Sequence, residues 1–254
     1  MPARHPFLDH EGPIAFAHRG GTSAAPENTM AAFQDAVDLG YTHVETDVHV
    51  TSDGVVVAFH DNDLERTCGI RGRIEETTWD VLRRARVDGR EPIPRLEEVL
   101  STWPDLRINI DCKTAPAEDP LIGILDSSGS LDRICFGSFS DMRLGKFRAR
   151  FGERLCTSTG PREVARLLAG SRLGRLVRGR TPALAAQVPE RQGPVRVVSR
   201  RFVETCHAAG IQVHVWTINA DDDMHRLLDL GVDGIMSDET RVLRDVMTER
   251  GHPL

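Results

Sequence analysis

The stretch Ile14-Ala15-Phe16-Ala17-His18-Arg19-Gly20-Gly21 runs from four apolar residues straight into a charged, glycine-rich turn. Residues 28–39 (NTMAAFQDAVDL) then repeat apolar side chains at helical spacing, and His43-Val44-Glu45-Thr46-Asp47-Val48-His49 returns to an alternating, β-branched run. Strand, turn, helix and strand in that order make the unit of a parallel sheet, because a parallel return needs a crossover helix.

The rhythm continues through most of the chain. Candidate strands are 14–17, 43–49, 55–59, 107–112, 133–137, 154–158, 184–188, 212–218 and 234–237. Nine runs exceed the eight of an α/β barrel by one. The connection 50–54 is too short for a crossover helix, so 43–49 and 55–59 are expected to pair as a hairpin. Helical spacing marks 28–39, 95–102, 142–151, 162–168, 202–209 and 222–230. Pro26 is expected in a first helical turn, and Gly40, Gly152, Gly210 and Gly231 as left-handed caps. Residues 62–94, rich in Arg and Glu with a short helical piece at 79–86, read as an excursion, since about 30 residues cannot build a core alone. The expectation is therefore a TIM (β/α)8 barrel of residues 1–254 with 62–94 as a small insertion. Residues 171–194, clustered in Arg and Gly, read as a loop or an assembly surface; a homo-oligomer is left open.

Composition narrows the function. The 254 residues are 40% hydrophobic, enough for a sizeable core, and 38 acidic against 32 basic side chains leave no basic excess for a nucleic-acid backbone. Five widely spaced cysteines without a CxxC pair argue for reduced thiols. The first thirteen residues hold no apolar leader and no run of about 18 apolar residues occurs, so a cytoplasmic protein without a stable membrane anchor is expected.

Chemistry-bearing residues cluster where strands end, which in a parallel barrel is one rim. His18 and Arg19 offer a proton-transfer group and a forked anion donor, although a bare turn could carry both. Strand alternation puts Glu45, Asp47 and His49 on one face. Two like charges so close call for a cation between them, a hard divalent ion such as Mg²⁺ or Ca²⁺. Asn109, Asp111 and Lys113 share a face in the same way, adding a third carboxylate and a cation for a substrate phosphate. His60-Asp61 supplies a second histidine, with Asp61 available to fix its tautomer. His49 is expected beyond the strand end and solvent-exposed. The remaining histidines read as surface or packing residues.

The ordered set His18-Arg19-Gly20-Gly21, Pro26-Glu27-Asn28-Thr29, Glu45-x-Asp47, His60-Asp61 and Asp111-x-Lys113 resembles the glycerophosphodiester phosphodiesterase family. The likeness extends through Pro94-x-Leu96-Glu97-Glu98-Val99-Leu100, 215–219 (VWTIN) and 231–238 (GVDGIMSD), and so spans about residues 14–243. It implies a barrel of the phospholipase-C-like phosphodiesterase type, its insertion over the mouth, that hydrolyses glycerophosphodiesters to sn-glycerol 3-phosphate and an alcohol with a divalent cation. Position by position, Glu45, Asp47 and Asp111 match metal ligands, and His18 and His60 the acid/base pair, with His18 as base and His60 as acid. Arg19 and Lys113 match phosphate contacts, and Trp216 a residue lining the glycerol side. Two positions depart from the family pattern: Asp111 stands where Glu is common, and Ser237 where Thr is usual. Two other functions remain in view, a lysophospholipase D-like enzyme, which would need an apolar rim, and an inactive barrel that binds a phosphate ligand.

Overall fold

The computed structural model describes residues 5–173 and 181–254. Eight strands run parallel: Ile14–Ala17, His43–Val50, Arg107–Cys112, Ile134–Gly137, Cys156–Thr157, Ala185–Pro189, Gln212–Trp216 and Gly234–Ser237. Neighbours in sequence are neighbours in the sheet, and the first strand also pairs with the last. The remaining edges meet at the Ser158–Ala185 bridge, where Thr159 N donates to Ala185 O at 2.8 Å. The result is a TIM barrel. The ninth run, Val56–Ala58, lies antiparallel against the second strand with Val48 opposite Ala58, as its short connection requires.

Alternation sorts the strand residues into two layers. Ala15, Val44, Val48, Ile108, Ile110, Phe136, Val213 and Ile235 pack outward with helix residues such as Phe33, Val99, Leu144, Phe202 and Leu243. Ile14, Phe16, Cys135, Cys156, Ala185 and Met236 form a second cluster with Phe7 and Leu8 from the N-terminal turn. Cys135 and Cys156 are register partners yet unbonded, and all five cysteines are free. On two other strands, His43–Val50 and Arg107–Cys112, the inward positions are instead Glu45, Asp47, Asn109 and Asp111. The barrel is thus apolar at one end and acidic at the other.

Helix signals decided most boundaries. Thr29 caps Met30–Asp38 by accepting from Ala32 N at 3.2 Å. Pro26 therefore stands before the helix rather than in its first turn, with its carbonyl accepting from Thr29 Oγ1. Gly40, Gly152, Gly210 and Gly231 all have positive φ. Two of the longer helices escape the periodicity reading, as does the single turn Glu65–Cys68. Glu118–Ser128 contains Pro120 and Gly123, and burial of Leu121 and Leu125 outweighs their poor propensity. Thr240–Glu249 carries a clear apolar stripe at Leu243, Val246 and Met247.

Residues 62–94 do bury a small cluster, because they borrow part of it. Leu64, Ile74, Leu82, Val87 and Ile93 pack on Val57 and Phe59 next to the barrel. The expected helical piece is shorter, Trp79–Leu82, a further short helix Glu65–Cys68 precedes it, and Arg86–Val87 pairs with Glu91–Pro92. Residues 171–194 hold the end of helix Pro161–Leu173, strand Ala185–Pro189 and part of a hairpin; 174–180 lie outside the described residues. Among the described residues no helix is long and apolar enough to cross a membrane.

Candidate active site

The first strand ends at Ala17, and the chain turns at once through His18–Gly20. Arg19 takes the left-handed conformation (φ 53°), which aims its backbone N–H at Glu45 Oε2, 3.1 Å away. Gly20 makes this turn possible: with φ 82°, a Cβ there would lie 2.9 Å from the backbone of Ala32 and Phe33.

Asp47 and Asp111 are register partners on adjacent strands, as are Glu45 and Asn109, so the three carboxylates form one inward-facing group. Each is almost completely buried. Lys113 Nζ bridges Asp47 Oδ1 at 2.7 Å and Asp111 Oδ2 at 2.6 Å, and Arg19 Nε stands 3.1 Å from Asp47 Oδ2. Buried like charges need counter-charge, so both cations expected to meet substrate are turned onto carboxylates here. Asn28, itself at φ 55°, donates to Asp47 Oδ2 at 3.1 Å and accepts from Thr46 Oγ1.

The charge balance is uneven. Although burial opposes ionisation, Lys113 and Arg19 hold Asp47 below the usual carboxylate range. Burial, reinforced by the Asp47 charge, pushes Glu45 up to about 7. Burial disfavours a charged His18, yet the Glu45 carboxylate and the Asp238 hydrogen bond raise its pKa overall. Asp111 Oδ1 is buried without a hydrogen-bond partner. A hard divalent cation fits this donor chemistry: every ligand atom is oxygen, one is orphaned, and Glu45 lacks a full counter-charge. Among the described residues, no three His, Cys, Asp or Glu side chains are grouped to hold a metal as they stand, with Lys113 Nζ between Asp47 and Asp111.

Each of the two sequence-selected histidines is held by a carboxylate. His18 Nδ1 lies 2.6 Å from Asp238 Oδ1, and its Nε2 faces Glu45 Oε2 at 3.7 Å. His60 Nδ1 lies 2.6 Å from Asp61 Oδ1. His60 stands beside the same rim, since Phe59 N donates to Asp47 O and the His60 carbonyl accepts from His49 Nε2. His49 is correspondingly buried at 2% exposure, not solvent-facing as expected, because the second strand continues to Val50 and keeps its side chain inside.

His18, Arg19, Glu45, Asp47, Asp111, Lys113 and Trp216 line a cavity of about 630 Å3, and His60 stands outside that lining. Part of its wall is apolar: Phe139, Val164, Leu168, Val195 and Val197. The Phe139 ring stands edge-on to Trp216 at 5.8 Å, with Lys113 Nζ 5.8 Å from its centroid. Sequence reading assigned no part to Asp238, Asn28, Glu27 or Phe139. Asp238 was findable, as the residue just past the last strand; the others depend on contacts that spacing does not encode.

Comparison with known proteins agrees with this architecture. The chain is 40% identical over 252 residues to a probable glycerophosphodiester phosphodiesterase 2 of Mycobacterium tuberculosis, covering 96% of this chain and 94% of that protein. It is 27% identical to a human lysophospholipase D, over 91% of this chain and 85% of that one. An Oleispira antarctica phosphodiesterase, solved with the product sn-glycerol-3-phosphate, superposes with a TM-score of 0.77 at 24% identity, covering 93% and 97% of the two chains. Residues 18–242 match the sequence pattern of one family throughout, so the chain belongs to the glycerophosphoryl diester phosphodiesterase family.

Proposed function

We propose that the protein hydrolyses glycerophosphodiesters to sn-glycerol 3-phosphate and an alcohol, with His18 and His60 moving the protons and Glu45, Asp47 and Asp111 holding a divalent cation, Mg²⁺ or Ca²⁺. Family membership makes it a phosphodiester hydrolase. The observation that carries the residue roles is the pairing of each histidine, through Nδ1, with its own carboxylate. That pairing fixes the tautomer and leaves Nε2 to exchange a proton with substrate.

A phosphodiester monoanion repels nucleophiles and has a poor leaving group. One imidazole takes a proton from the nucleophile, either water or the glycerol 2-hydroxyl whose cyclic phosphate a water then opens, while the other gives a proton to the departing alcohol oxygen; each such transfer contributes about 10²–10⁴-fold. Arg19 and Lys113 offer fixed positive charge to phosphate oxygens, where charge develops in the transition state. When bound, the cation draws negative charge from a non-bridging oxygen. Trp216 lines the glycerol side of the cavity. Glycerophosphocholine turnover, measured with and without chelator, tests the reading. It should vanish with chelator and fall at least about 10²-fold in His18→Ala and His60→Ala. Wild-type rates in either variant would overturn the proton-transfer roles.

A second reading, hydrolysis of lysophospholipids, is favoured by the apolar wall. The apolar rim that residues 62–94 do not offer is supplied by Phe139, Val164, Leu168, Val195 and Val197. Turnover of lysophosphatidylcholine that drops in Leu168→Asp, with glycerophosphocholine turnover unchanged, is the expected outcome. Equal loss on both substrates, or none, removes this reading.

A further inference from the structure

We infer that Arg66 is a positioning residue that ties residues 62–94 to both halves of the active site, holding Asp61 against His60 and Glu27 against Arg19. The inference rests on the roles proposed above for His60 and Arg19 and adds a residue to them. Arg66 sits in the short helix Glu65–Cys68, outside the barrel, with its side chain half exposed. Its guanidinium nevertheless makes three directed contacts. Nε donates to Asp61 Oδ2 at 2.5 Å, while Nη1 and Nη2 donate to Glu27 Oε2 and Oε1 at 3.0 and 2.6 Å.

Both carboxylates have a second partner in the site. Asp61 uses its other oxygen for His60 Nδ1, and Glu27 Oε1 also accepts from Arg19 Nη1 at 3.0 Å. Arg19 in turn stands on Asp47. A single guanidinium thus links the imidazole to the phosphate-binding arginine through two carboxylates. Asp61 is partly buried, which opposes ionisation, but the hydrogen bonds and charges of Arg66 and His60 together outweigh this and lower its pKa to about 2. It therefore stays a full acceptor for His60 through neutral pH.

Only an arginine fits the task. Three N–H groups in one plane reach three oxygens on two side chains, whereas an ammonium is a single point of charge. Stability is not what the contact provides, since a half-exposed ion pair contributes little to folding. Its effect is geometric, and small displacements of catalytic groups can cost about 10²-fold in rate.

The test compares wild type, Arg66→Ala, Arg66→Lys and Arg90→Ala on glycerophosphocholine. Arg90 lines the small cavity beside Arg66 and serves as the control. Arg66→Ala should lose about 10–100-fold in kcat with its melting temperature within about 3 °C of wild type. Lysine should not restore it, added guanidinium should do so in part, and Arg90→Ala should match wild type. A ¹⁵N spectrum of His60 should show one dominant Nδ1–H tautomer in wild type and a mixture in Arg66→Ala. A kcat within twofold of wild type, a loss carried by KM alone, or an unchanged tautomer overturns the inference. Should the wild-type chain hydrolyse no glycerophosphodiester, the functional reading fails by itself and the tautomer measurement alone judges Arg66.

Discussion

Lys113 Nζ meets Asp47 Oδ1 at 2.7 Å, across two adjacent barrel strands, and the same ammonium holds Asp111 at 2.6 Å. The lysine is the internal counter-charge of the carboxylate cluster. Lys113→Met should leave Asp111 without its cation and Asp47 with Arg19 alone, and destabilise the protein by about 3 kcal/mol in chelator. Millimolar Mg²⁺ or Ca²⁺ should then raise its melting temperature more than that of wild type. Thermal denaturation with and without the cation measures both effects; no shift in either protein would mean the carboxylates hold no ion, and an equal shift that Lys113 does not compete with it.

Asp238 and His18 are joined at 2.6 Å although 220 positions separate them in the chain. Asn at 238 keeps the size but removes the charge that steadies a protonated imidazole. Asp238→Asn should lower kcat by about 10²-fold and leave KM nearly unchanged. Steady-state kinetics on glycerophosphocholine decides it, and a change confined to KM would assign Asp238 to substrate binding instead.

Acid should unfold the barrel from its apolar end. His214 is fully buried against Phe16, its Nδ1 has no partner, and burial pulls its pKa from 6.5 to about 4. Burial likewise holds His43 neutral. The unfolded chain binds more protons than the native one between the two pKa values, so stability rises with pH across that window. Lowering the pH from 6.5 toward 4 should remove up to about 3 kcal/mol through His214. Urea titrations at several pH values should show a shallower slope in His214→Phe; an identical slope would exonerate this imidazole.

Gly20→Ala tests the turn that presents His18 and Arg19. The added methyl would overlap the backbone of Ala32 and Phe33 at a positive φ. A loss of about 2 kcal/mol or more is expected, with reduced turnover as Arg19 shifts from Glu45. Chemical denaturation beside an activity assay would reveal a tolerated alanine, and with it a looser turn than described.

Local rules made much of this chain legible in advance. Alternation in 43–49 predicts which side chains share a face, the length of 50–54 predicts the hairpin, and positive-φ glycines mark helix ends because those constraints act within a few residues. Helix Glu118–Ser128 was not legible, since its packing overrides the propensities of Pro120 and Gly123. His49 was misjudged because the end of a strand depends on what pairs with it, here Val57.

Sequence alone determined the barrel and named the charged groups at its rim, because strand period and chain order are one-dimensional properties. Only the tertiary structure decided that Asp238 holds His18, that Lys113 and Arg19 neutralise Asp47, and that Arg66 reaches Glu27 and Asp61 together. Those pairings join residues far apart in the chain, and the burial that makes each charge demand a partner exists only once the barrel has closed.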